Sequence, residues 1–315
     1  MHDDTNTDLH GLVRLRGDLL AEGLTDNQIA RLVRARVLHR IRYGAYVPYD
    51  VWESLSVEDR HRLLGRAVLA RAHPSTALTH VSSIVERRVP VWGVPLDVAH
   101  TTRELPERAG RRSADWIPHR GVLGETDIEV VNGVRISKAA RSAFEVTTIA
   151  GVEASLVAVN RLLHAGAMTV AEFAQTVEEH QCWPGSLTAD LVLRLADPRL
   201  ESVAEDRFAY LSYKQGLPRP EPQWEVRDEW GNLVARLDFA WPELATFLEI
   251  DGKIKYERYR KDGESLEEYL MREKERERLV CQLTGWTCLR ATWADLARPE
   301  ILAARIRGVL AARSK

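Results

Sequence analysis

The sequence predicts a multidomain α/β chain: an N-terminal winged helix-turn-helix, a middle α/β region, and a C-terminal mixed sheet flanked by helices. Three observations predict it. Before about Tyr49, two helical stretches lead into a hairpin. From Leu55 to His180, helical runs interleave with short strands. After Leu200 the order becomes helix, three strands, helix, strand, helix, a small α/β core. The 315 residues suffice for two or three domains with their own cores. The implied boundaries are 1–50, 51–182, a linker helix at 183–197, and 198–315.

In the first segment, Leu12, Leu15, Leu19 and Leu20 recur at helical spacing, and Gly23 stands where a helix would stop. Thr25 opens a second helix with Gln28 as its capping-box partner. Ile29, Leu32 and Val33 form its apolar stripe. Ile41 to Val47 reads as a hairpin pivoting on Gly44. From Asn27 through Tyr49 there is no acidic residue, whereas Arg31, Arg34, Arg36, Arg40 and Arg42 lie there, with His39 among them. Positive charge on a second helix and its wing suits phosphate and major-groove contact. A solvated face on a small packing domain is the plainer alternative.

The middle segment carries helical runs at Val57–Ala72, Ala139–Thr147, Ala154–Ala165 and Val170–Glu179, with strands near Leu96–Thr101 and Ile128–Val134. It holds no phosphate loop, zinc spacing or nucleophile elbow. His80 with Ser82 and Ser83, and His100 beside Thr101, read as a capped helix start and ordinary strand histidines. The segment reads as a connector or partner-binding scaffold. A helix from about Leu187 to Leu195 follows Trp183-Pro184-Gly185-Ser186.

The third segment opens with an amphipathic helix, ESVAEDRFAYLSYKQG, ended by Gly216. Gln223–Val226 and Leu233–Phe239 form a hairpin across Asp228–Asn232, and the strand of Glu249 follows. A charged helix spans about Glu264 to Leu283, then comes a strand at Trp286–Arg290 and a closing helix. Strand alternation puts Phe247, Glu249, Asp251 and Lys253 on one face and Leu248 and Ile250 on the other. Asp238 sits in an equally apolar strand. Carboxylates in such a setting are costly to bury unless they meet positive charge. Hard oxygen ligands holding Mg²⁺ or Mn²⁺ at a sheet edge would serve phosphodiester hydrolysis. Asp238, Glu249 and Asp251 suit the metal, Lys253 the phosphate or the attacking water, and Glu205 a second metal or an outer position.

At these residues the segment from Glu201 to about Leu296 resembles the PD-(D/E)XK nuclease superfamily, in its very-short-patch-repair-endonuclease-like branch. The likeness runs through Glu205, GLPRPEPQWEV, Asp238 in RLDFAWP, EIDGKIKY, EKERERL and GWTCLRATWADL. It implies a restriction-endonuclease-like fold and metal-dependent DNA cleavage. Asp251-Gly252-Lys253 fits the superfamily pattern literally; Glu249-Ile250-Asp251 fits it with the lysine replaced, and both registers stay open. The repair endonucleases carry histidines around this turn, where this chain has Asp251 and Tyr256.

LLAEGLTDNQIARLVRARVLHRIRYGAYVP resembles the winged-helix domain of AbiEi-type antitoxins of toxin–antitoxin phage-defence systems. ALTHVSSIVERRVPVW, VAHTT and VRISKAARSAFEV are similar to that family's following region. The resemblance implies operator-DNA binding, with the five arginines on the basic surface and a cognate toxin or dimer partner. The family commonly has glycine where this chain has Arg36.

A formal net charge of −2 argues against a protein that coats nucleic acid by bulk attraction and leaves room for local basic patches. Three spread cysteines (Cys182, Cys281, Cys288) suit a reducing compartment. The acidic, polar start is the opposite of a secretory signal, and no apolar run approaches the ~18 residues of a membrane span, so the expected location is cytoplasmic with no membrane partner. The expected function is metal-dependent cleavage or nicking of DNA, with RNA as an open alternative substrate. The rival is a non-enzymatic antitoxin or repressor of a toxin–antitoxin operon.

Overall fold

The computed structural model describes residues 9, 11–103, 112–251 and 265–313 of a mixed α/β protein. Its contacts divide the chain into two units, with the boundary between Arg194 and Leu195. No helix among the described residues is long and apolar enough to cross a membrane.

The first unit starts with β1 (Arg14–Leu15), α1 (Arg16–Ala21), α2 (Asp26–Arg34), β2 (Leu38–Arg42) and β3 (Ala45–Pro48), in a sheet ordered β1-β3-β2. Thr25 and Gln28 form the expected capping box: the Thr25 amide donates to Gln28 Oε1 at 2.8 Å and the Gln28 amide to Thr25 Oγ1 at 3.3 Å. The cap sets the phase of α2, and Ile29 packs with Leu19, Leu38 and Tyr46. The helix expected from Leu12 begins only at Arg16, because Arg14 and Leu15 pair with Tyr46 and Ala45 of β3. Arg36 has φ +56°, the left-handed region that favours glycine.

Next come α3 (Tyr49–Ser54), α4 (Val57–Leu69), β4 (Thr76–Leu78), α5 (His80–Glu86), β5 (Ala99–Arg103), β6 (Trp116–His119), β7 (Ile128–Val131) and β8 (Val134–Ser137). The strands form a mixed sheet ordered β6-β5-β4-β8-β7, in which β5 and β6 run parallel. The expected single strand at Ile128–Val134 is a hairpin. Asn132 and Gly133 both take positive φ, 51° and 74°, as a tight primed turn requires. Four helices complete the unit: α6 (Ala139–Thr147), α7 (Val152–His164), α8 (Val170–Glu179) and α9 (Ser186–Leu195).

The second unit contains α10 (Val203–Lys214), β9 (Glu221–Arg227), β10 (Leu233–Trp241), β11 (Thr246–Asp251), α11 (Leu266–Thr284), β12 (Thr287–Thr292), α12 (Trp293–Leu296) and α13 (Pro299–Arg313). Its sheet is ordered β12-β11-β10-β9, with β11 and β12 parallel and the other pairs antiparallel. Alternation in β11 divides its residues between two cores. Leu248 and Ile250 join Phe208, Leu211, Leu302 and Ile306 of the flanking helices. Phe247 joins Val280 of α11 on the opposite face. The polar members of that second face, Glu249 and Asp251, therefore share their strand face with apolar packing.

Candidate functional site

Strands β10 and β11 align Phe239 with Leu248 and Ala240 with Phe247. One residue beyond the last register pair, alternation puts Asp238 on the face of Ala240 and Glu249 on that of Phe247, so both carboxylates leave the sheet on the same face. Each is only 7% exposed. Asp238 Oδ2 accepts the Ile250 amide at 2.7 Å, so its carboxylate sits where the two strands part. Glu249 Oε1 lies 3.6 Å from Arg276 Nη2, and the same guanidinium holds Glu273 at 2.9 Å. Burial alone would lower the Arg276 pKa; Glu249, Glu273 and Asp238 outweigh it and hold the pKa above its usual value.

Asp251 shares the face of Glu249 and accepts a two-pronged bond from Arg290, at 2.9 Å from Nε and 2.5 Å from Nη2. Arg290 also pairs with Glu277. Glu205 is held by a different set of partners. Its carboxylate accepts from Ser202 Oγ at 2.6 Å, the Glu201 amide at 2.9 Å and Gln223 Nε2 at 2.7 Å, the bonds of a helix-capping residue. Lys253 lies outside the described residues. The structure thus places Asp238 and Glu249 buried on one sheet face, ties Asp251 to an arginine, and gives Glu205 a capping role. Arg276 and Arg290 are site residues that sequence reasoning misses: the first sits in a charge run that reads as a solvated face, the second within GWTCLRATWADL with no role of its own.

Of the five arginines expected on the basic surface, Arg31, Arg34, Arg36 and Arg40 are exposed on α2, the following turn and β2. Arg36 lies 5.6 Å from the Tyr49 ring. Arg42 is committed elsewhere. It pairs with Asp115 at 3.0 Å and lies over Trp116, so it is half-buried inside the first unit.

A second constellation lies in the first unit. His80 begins α5, His100 sits on β5, and His119 ends β6. The parallel β5–β6 register aligns Thr102 with His119 and His100 with Ile117. His100 Nδ1 and His119 Nε2 are 2.8 Å apart, and the His80 and His119 rings stack with centroids 3.7 Å apart. His80 and His119 open on a cavity of about 290 Å³ that Thr102, Arg120, Arg141 and Glu145 also line. His80, read from sequence as a capped helix start, does begin a helix, but at φ +53° and with its amide donated to Glu145 at 3.0 Å.

Burial, reinforced by the neighbouring imidazoles and Arg112, lowers the His100 pKa to about 3; burial and Arg112 lower that of His119 to about 4. Burial likewise puts His80 well below the ordinary range. The unfolded chain binds these protons near the usual ~6.5, whereas the folded chain refuses them until about pH 4 or below. Their contribution to stability is therefore complete above pH ~6.5 and lost as pH falls through the folded values. For chelator-treated protein, the urea midpoint of the transition that unfolds this unit should fall steeply between pH 7 and pH 4, and His119→Gln should flatten that dependence. Equal slopes for the two proteins would contradict the assignment.

No family model matches the chain. Two uncharacterized proteins, from two strains of Mycobacterium tuberculosis, are each 32% identical to it over 137 residues, which is 43% of this chain and 47% of theirs. The chain spans about half the length of the curated relatives it matches.

Proposed function

We propose that this chain is a DNA-binding protein whose C-terminal unit is a Mg²⁺- or Mn²⁺-dependent endonuclease of the PD-(D/E)XK type, with a winged helix at the N-terminus that places it on DNA. The observation that carries the reading is the burial of two carboxylates, Asp238 and Glu249, on one face of adjacent strands just past their last register pair. Two buried carboxylates on one face of adjacent strands offer the hard oxygen donors that Mg²⁺ takes, and Asp238 and Glu249 would hold it, with Asp251 joining only on release from Arg290. Bound there, the ion would supply Lewis acidity toward a phosphodiester. Arg276 and Arg290 pair with Glu249 and Asp251 and add positive charge at the place where a phosphate would arrive. The test is nicking of supercoiled plasmid in Mg²⁺ or Mn²⁺ by the wild type and by Asp238→Asn.

The β1-β3-β2 sheet, the capped α2 and the exposed Arg31, Arg34, Arg36 and Arg40 support the winged-helix part of the proposal. Replacing Arg31 and Arg34 with alanine should weaken binding to promoter DNA. It should also flatten the log–log salt dependence by about 0.9 for each phosphate that is no longer neutralised. Unchanged affinity and slope in a filter-binding titration would remove this segment from the interface.

One observation favours a second reading, a non-enzymatic AbiEi-like antitoxin or repressor. Asp251 is already bridged by both prongs of Arg290 and Glu249 already faces Arg276, an arrangement in which the acids serve as ion-pair partners. Absence of cleavage with every DNA and RNA offered would select it.

A further inference from the structure

We propose that His80, His100 and His119 form a three-imidazole site for a divalent transition metal of the Zn²⁺ class, with its fourth coordination position facing the adjoining cavity. The three residues come from a helix start and two parallel strands, and one potential ligand atom from each lies within 4.8 Å of the other two. Tetrahedral Zn²⁺ with nitrogen ligands at ~2.0–2.1 Å requires those nitrogens to be roughly 3.3 Å apart. A side-chain rotation of about an ångström, which also unstacks His80 from His119, closes the difference.

The metal would take the place of a hydrogen bond between two imidazoles. His100 Nδ1 and His119 Nε2 face each other at 2.8 Å, so only one of them can carry a proton. A cation between them lets both act as lone-pair donors. The surroundings are built as an outer shell. Ser82 Oγ accepts the His100 amide at 2.8 Å and bonds His61 at 2.8 Å. Thr79 Oγ1 lies 3.0 Å from His80 Nδ1 and 3.1 Å from Thr102 Oγ1. Glu145 accepts the His80 amide and lies 3.8 Å from Nδ1. The Thr79 contact is to the imidazole itself and is of the kind that sets ring orientation in metal sites, while the Ser82 and Glu145 bonds fix the backbone of His100 and His80. The left-handed φ of His80 is a strained conformation that its surroundings must over-determine. An all-nitrogen donor set selects zinc-like ions over Mg²⁺, so this site is separate in chemistry from the carboxylates of the C-terminal unit. Arg120 and Arg141 on the cavity wall fit water, hydroxide or a small anion as the fourth ligand.

The test uses the full-length, tag-free chain after removal of metal by a chelator. Zn²⁺ is titrated against a chromophoric competitor, and Co²⁺ is followed by its visible absorption. The expected result is one Zn²⁺ per chain and Co²⁺ bands of tetrahedral intensity that Zn²⁺ abolishes, without the near-ultraviolet charge-transfer band of a thiolate ligand. His100→Ala and His119→Gln should each lose the bands, while Asp238→Asn keeps them. His119 ends an edge strand and is half-buried, so its variant tests the site with the smallest burden on folding. Retention of stoichiometry and spectrum in His119→Gln overturns the proposal. So does a wild type that binds neither ion, or that binds Co²⁺ through thiolate, and these two outcomes need no variant.

Discussion

Asp238→Asn should lower metal-dependent nicking of supercoiled plasmid by about 10²- to 10³-fold, the cost of removing one preorganised electrostatic group from a water-poor site. The substitution keeps the shape of the side chain and an oxygen able to accept the Ile250 amide, so the strand junction should survive. What it removes is half of the negative charge that Asp238 and Glu249 place on one face. Glu249→Gln should behave similarly and also release Arg276, whose pKa those acids raise. Circular dichroism and the urea midpoint, measured beside the nicking rate, separate lost chemistry from lost structure. A variant that cleaves as fast as wild type would exclude the carboxylate pair from the reaction.

Arg141→Ala should destabilise the first unit by about 3–5 kcal/mol, because it strands a buried carboxylate. Arg141 Nε donates to Glu145 Oε1 at 3.0 Å, Nη2 to the Val122 carbonyl at 3.1 Å and Nη1 to His180 Nε2 at 2.5 Å, and its guanidinium lies over Trp183. Both members of the ion pair are almost wholly shielded from water. Burial already holds the Glu145 carboxyl above its usual range, with Arg141 the first influence opposing it. Without the arginine the carboxyl takes up a proton more readily. The penalty should therefore be greatest at neutral pH, shrink in acid, and be partly relieved in an Arg141→Ala/Glu145→Gln double variant. Urea unfolding at pH 7 and pH 5 measures all three effects. A loss below about 1 kcal/mol at pH 7 would show that the pair is hydrated after all.

Local rules make much of the fold legible. The Thr25–Gln28 cap, the helix at Ala139–Thr147 and the alternation of Thr246–Asp251 depend on neighbours within a few residues, and they stand in the structure as the sequence reads. Two short strands, β4 and β6, are not legible because three or four residues are too few to show a period, and Pro118 lies inside β6; the Asn132–Gly133 turn is hidden by valines on both sides. The acids of the C-terminal unit stand out in the sequence as an electrostatic anomaly. Their partners do not: the Glu249–Arg290 alignment exists only through the parallel pairing of β11 with β12. The histidines read as ordinary for the same reason. Nothing in their spacing says that β5 and β6 lie side by side, and His119 falls on a strand that the pattern does not announce.

The two kinds of strand pairing around Glu249 also favour an order of assembly. The Asp238 bond to the Ile250 amide spans 12 residues of chain, and the Asp251 bond to Arg290 spans 39. Closing the shorter loop costs less entropy, so the antiparallel pair forms ahead of the parallel one. The nascent hairpin thus brings two carboxylates face to face before either arginine has arrived. Their mutual repulsion should weigh more on the folding barrier than on the native state, where Arg276 faces Glu249. Added salt should therefore speed refolding of this unit in stopped-flow; a salt-independent rate would contradict it.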